Sequence, residues 1–133
     1  MIFRFKGNAK TYLSISPFRT DKRDFQEHHL NISRNDNRTY HALTLDNGLK
    51  VLLVQDKDST KAAASMAVNA GHFDDPLDRQ GLAHFLEHML FLGTDQFPES
   101  NSFSNFVSQA GGNTNAWTGT EHTCYFFDIN NQE

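Results

Sequence analysis

The stretch on which the reading of the fold turns is GLAHFLEHMLFLG, Gly81 to Gly93. Its apolar residues recur with a helical period, and three ionisable side chains interrupt them. At about 100° per residue, His84, Glu87 and His88 share an arc of about 100°. Leu82, Phe85, Leu86, Met89 and Leu90 fill the other side. The pattern predicts an amphipathic helix with Gly93 as its C-terminal stop. A helix that could be all core gives one face to two histidines and a glutamate.

Working outward, YHALTLDNGLKVLLVQD (Tyr40–Asp56) predicts a β-hairpin, with Asn47 and Gly48 supplying the positive φ angles of a tight turn. Polar Gln55 to Lys61 reads as a connection. AAASMAVNAG (62–71) reads as a third strand, small and apolar enough to be buried on both faces. GHFDDPLDRQ (71–80) is a loop whose Pro76 and acidic residues suit the start of the helix. Beyond TDQFPES, Phe103, Phe106, Val107 and Ala110 mark a second amphipathic helix, ended by AGG at 110–112. NTNAWTG and TCYFFDI are then two strands around a short turn near Gly119. The class is α+β, with a mostly antiparallel sheet packed by helices.

The 133 residues suffice for one modest domain. Residues 1–39 show no sustained period and read as a polar, irregular or extended leader; residues 40–133 form the body. Residues 1–40 carry a net charge of +4 and residues 41–133 a net of −8. Neither holds a like-charge run that suggests a nucleic-acid arm. Cys124 is the single cysteine, which excludes an internal disulfide and a cysteine-type zinc site. His28 and His29 are adjacent and would point different ways. No apolar run approaches the roughly 18 residues of a membrane span. The first twenty residues lack the apolar core of a secretory signal, so the expectation is a cytoplasmic protein, or a periplasmic one if the N-terminus is incomplete.

The chemistry lies in the polar face. Histidines at i and i+4 on a helix project in parallel and can chelate one zinc ion with little rearrangement. A glutamate at i+3 need not bind metal; it can hold the water, accept its proton and pass that proton to a leaving amine. This order of residues defines the inverzincins. A lone histidine on an apolar helix is more often a satisfied core residue. Here three polar groups share one face, and burying them without a ligand leaves costly unpaired groups. Two histidines are one ligand short of a catalytic zinc site. Asp95, Glu99, Glu121 and Asp128 are in-chain candidates, none with a compelling spacing.

With LDNGLKVLLVQD, GHFDDP, GLAHFLEHMLFLGT, FPESNSFSNFVSQAGG and NTNAWTGTEHTCYFFDI in order between about Asp36 and Ile129, the chain resembles the N-terminal part of an M16 metalloendopeptidase. It is most similar to the insulysin and pitrilysin branch. The resemblance implies an incomplete α/β sandwich domain of the LuxS/metallohydrolase-like type, a Zn2+ cofactor and a peptide substrate. It implies that His84 and His88 are metal ligands and that Glu87 is the general base. Asn115 and Ala116 match residues on an edge strand that holds substrate backbone by strand addition. Without the resemblance that strand reads as an ordinary edge. Trp117 reads as a packing residue before a substrate contact. The family's third ligand is a glutamate further along than Glu133, so none is expected within this chain.

The expectation is therefore the N-terminal fragment of a zinc metalloendopeptidase, inactive alone and completed by the remainder of the same enzyme. Two other readings stand beside it. Similar folds serve as non-catalytic scaffold subunits, against which an intact His-x-x-Glu-His weighs. The chain's stop five residues after Asp128 also admits a truncated gene remnant.

Overall fold

The computed structural model describes residues 2–5, 26–95 and 97–131. Part of the expected leader, positions 6–25, lies outside the described residues. The fold is α+β, arranged as two units, Met1–Ala64 and Ser65–Glu133.

In the first unit, β3 (Thr39–Thr44) and β4 (Lys50–Gln55) form the expected antiparallel hairpin. Its turn differs from the expected one. Leu45 N–H donates to Leu49 O at 2.9 Å and Gly48 N–H to Leu45 O at 2.8 Å, which closes a three-residue loop. Gly48 takes a φ of +81°, whereas Asn47 keeps a negative φ. The Asn47 side chain instead accepts the Leu49 N–H at 3.1 Å. β2 (Gln26–His28) pairs antiparallel with β3, and β1 (Ile2–Phe5) pairs parallel with β4, giving the order β2–β3–β4–β1. Both lie within residues 1–39; three or four residues are too few to display a period. Ahead of β3, Asp36 accepts hydrogen bonds from Arg38 Nε (2.8 Å), Arg38 Nη2 (2.6 Å) and Tyr40 Oη (2.7 Å). The Arg38 bonds above all hold its carboxyl far below the usual carboxylate range.

β5 (Lys61–Val68) carries the chain across the boundary between the units. It is not buried on both faces: Met66 is 36% and Val68 39% exposed. Its alanines and serine offer little apolar area to demand a cover.

In the second unit, β6 (Asn113–Thr118) and β7 (Thr123–Asn130) form an antiparallel hairpin with β6 at the sheet edge. The register places Thr114, Ala116, Thr118, Thr123, Tyr125 and Phe127 on one face. The helices α1 (Leu82–Met89) and α2 (Ser102–Gln109) serve that face. Phe103 of α2 meets Phe127 edge-on at 5.5 Å, and Val107 is fully buried. α1 stops earlier than Gly93. The Phe91 and Leu92 N–H groups donate three residues back, to His88 and Met89, so the helix tightens into turns before the glycine.

Candidate functional site

α1 is turned differently from the amphipathic expectation. The residue it buries is Glu87, 7% exposed, while Phe85 and Leu86 are 61% and 56% exposed. Met89 and Leu90 are also exposed, and Phe91 is half-buried. The apolar side that the period assigns to packing is thus largely outward among the described residues. The buried carboxylate has a specific partner. Thr118 Oγ1 on β6 donates to Glu87 Oε2 at 2.5 Å and gives the carboxylate a partner where water is excluded. Tyr125 lies on the same face of the hairpin as Thr118. Burial, and then the Glu87 charge, push its phenol pKa up.

His84 and His88 stand exposed on the same helix. Their Nε2 atoms lie 3.0 Å apart and their ring centroids 4.7 Å apart. A bare pair at this distance must have one nitrogen protonated as donor and the other free as acceptor. An ion about 2.05 Å from each nitrogen, at a tetrahedral angle, would set them about 3.3 Å apart. The donor set and its convergence therefore fit a zinc ion. Among the described residues no third His, Cys, Asp or Glu joins the pair. Asp95 and Glu99 are exposed between α1 and α2, Glu121 is exposed in the β6–β7 turn, and Asp128 lies opposite Asn113 on β7.

The loop ahead of α1 braces both elements of the site. His72 N–H donates to Gly119 O at 3.0 Å and Phe73 N–H to Thr120 O at 2.8 Å. Gly71 is required there, because a Cβ would stand 2.5 Å from Gly119 O. Asp75 Oδ2 and Oδ1 accept the Gly81 and Ala83 N–H groups at 2.7 and 2.8 Å, satisfying the start of α1. The Ala83 bond, then the Gly81 bond and the nearby His72, hold its carboxyl below the usual range against an opposing effect of burial.

Asn115 and Ala116 sit on the edge strand β6, opposite Phe126 and Tyr125. Asn115 Oδ1 accepts the Ala116 N–H at 2.9 Å. Ala116 is on the helix-facing side of the hairpin and Asn115 on the other, so the strand, rather than a shared side-chain cluster, links them to Glu87. Trp117 packs edge-on against His122 at 4.9 Å yet stays 45% exposed.

Sequence reasoning missed Thr118 and Asp75. Thr118 could have been found from strand alternation, two positions after Ala116 on the same face. Asp75 could have been found as an acidic residue ahead of a helix with no N-terminal Ser, Thr, Asp or Asn adjacent to it.

Comparison with known proteins places this geometry in a family. The family model described as Insulinase (Peptidase family M16) matches residues 50–133. The chain belongs to this family. The A-factor-processing enzyme of Saccharomyces cerevisiae is 46% identical over 121 residues, covering 91% of this chain and 11% of the relative. The insulin-degrading enzyme-like 1, peroxisomal, of Arabidopsis thaliana is 52% identical over 97 residues, covering 73% of this chain and 10% of the relative. Among solved structures, the crystal structure of pitrilysin superposes with a TM-score of 0.75 at 37% identity, covering 80% of this chain and 12% of that one. This M16 chain spans about a tenth of the length of the curated relatives it matches.

Proposed function

We propose that the chain is the zinc-holding, water-activating portion of a metalloendopeptidase that cleaves small-to-medium peptides. The observation that carries this is the convergence of the His84 and His88 Nε2 atoms on the helix that also carries Glu87, buried and bonded by Thr118. His84 and His88 would hold a zinc ion through Nε2. Such an ion, when bound, would supply Lewis acidity toward a water and a peptide carbonyl. Glu87, oriented through one oxygen by Thr118, accepts the water's proton and returns it to the leaving amine. The β6 edge takes up extended substrate backbone at Asn115 and Ala116, the Asn115 side chain giving up its hold on the Ala116 N–H as the strand pairs. The names of the relatives, A-factor-processing and insulin-degrading, support a peptide substrate.

With two ligands and a base, the chain alone binds zinc weakly and hydrolyses little. The test is a fluorescence-quenched peptide incubated with the purified chain and zinc. Background hydrolysis is expected. A rate abolished both by chelator and by Glu87→Gln would overturn the claim that the chain is inactive alone.

A further inference from the structure

Beside the histidine pair, the loop ahead of α1 presents another imidazole. His72 meets His84 edge to face, with ring centroids 6.2 Å apart and planes at 87°. Its backbone is fixed to the β6–β7 turn by the His72 and Phe73 N–H bonds, and Gly71 permits that close approach. Asp75 Oδ2 lies 3.7 Å from its Nδ1, and the Asp75 side chain is 2% exposed. The same carboxylate grips the first turn of α1 through the Gly81 and Ala83 N–H groups. The loop that carries His72 is thereby fastened to the helix that carries His84. Apart from its Nε2 contact with His88 at 3.0 Å, His84 is exposed, and an exposed helix residue without packing samples several rotamers.

We infer that His72 is a positioning residue for the metal-binding pair: its ring, packed against that of His84, holds His84 in the rotamer whose Nε2 converges on that of His88. The inference rests on the reading that His84 and His88 capture a metal ion. His72 acts through His84 and is not a third ligand. Two imidazoles on one tetrahedral ion bring their ring centroids to about 5 Å. The His84–His88 pair, at 4.7 Å, meets that spacing, and His72–His84, at 6.2 Å, does not.

Two substitutions in the full chain separate the roles. His72→Phe keeps a ring edge and removes both nitrogens; His72→Ala removes the ring. In the metal-free protein, NMR of the His84 side chain is expected to report one dominant χ1 rotamer in the unsubstituted and Phe forms and averaging in the Ala form. Cobalt(II) titration followed by visible absorption is expected to show affinity about tenfold weaker or more for Ala, and within about threefold of the unsubstituted chain for Phe. A His84 rotamer unchanged by His72→Ala overturns the proposal whether or not cobalt binds. Equal loss of cobalt in the Phe and Ala forms overturns it in favour of direct ligation by His72. Ordered His84 in the unsubstituted and Phe forms, lost in Ala, with no cobalt uptake by any form, supports the positioning role and removes the metal reading instead.

Discussion

Helices α1 and α2 are each eight residues long, belong to the same unit and serve the same face of the β6–β7 hairpin, yet they bury opposite chemistry. α2 buries Val107 completely and sets Phe103 against Phe127. α1 buries Glu87 and leaves Phe85, Leu86 and Leu90 more than half exposed. Apolar burial orients α2. Hydrogen bonds orient α1: Thr118 to the Glu87 carboxylate, and the α1 backbone to Asp75. Burying a carboxylate costs several kcal/mol, which one hydroxyl bond offsets only in part. On the proposed function, that carboxylate is kept in place to serve the water.

The contrast can be broken from either side. In a longer form of the protein that hydrolyses peptide, Glu87→Gln is expected to lower kcat by about 10² to 10⁴-fold with zinc content unchanged. Steady-state kinetics alongside metal analysis would read both. On the apolar side, Val107→Ala removes buried methyl groups and is expected to cost about 2 kcal/mol in urea unfolding, with activity per folded molecule retained. Thr118→Val leaves the buried carboxylate without its donor and is expected to cost about 1 to 2 kcal/mol, largely restored by Thr118→Ser. If Thr118→Val is neutral, the hydrogen bond does not orient α1.

The smallest effect is a pH dependence. Asp75 has a carboxyl pKa below its ordinary value in the folded chain, so its contribution to stability is fully present above the ordinary range near 4 and is lost as pH falls through the folded value. Asp75→Asn should therefore lower Tm at neutral pH, and the gap between the two proteins should narrow as the solution is acidified below about pH 4. A gap that persists unchanged at pH 2 would show that backbone disruption, rather than the charge, is what the substitution removes.

Much of this was readable in the chain itself. The β3–β4 and β6–β7 hairpins and both helices follow from period, glycine and asparagine placement, because each is a local pattern of 8 to 18 residues. The His84, Glu87, His88 arc follows from helix geometry alone. What escaped were relations between distant segments. That α1 would turn Glu87 inward depends on Thr118, 31 positions away, and on how β6 registers against β7. Periodicity reports that a helix has two faces; it does not say which one the rest of the unit will take when a polar group is held by a specific partner. The turn at Asp46–Gly48 escaped for a smaller reason, since Asn-Gly suits both a two-residue turn and a three-residue loop.

The most direct measurement of the central claim is zinc titration of the chain by calorimetry, in parallel with His84→Ala, His88→Ala and Glu87→Gln. One weak zinc site is expected, abolished by either histidine substitution and kept within a few-fold by Glu87→Gln, since the carboxylate faces Thr118 and serves water rather than metal. Zinc uptake that survives both histidine substitutions, or that Glu87→Gln removes as completely as they do, would contradict it.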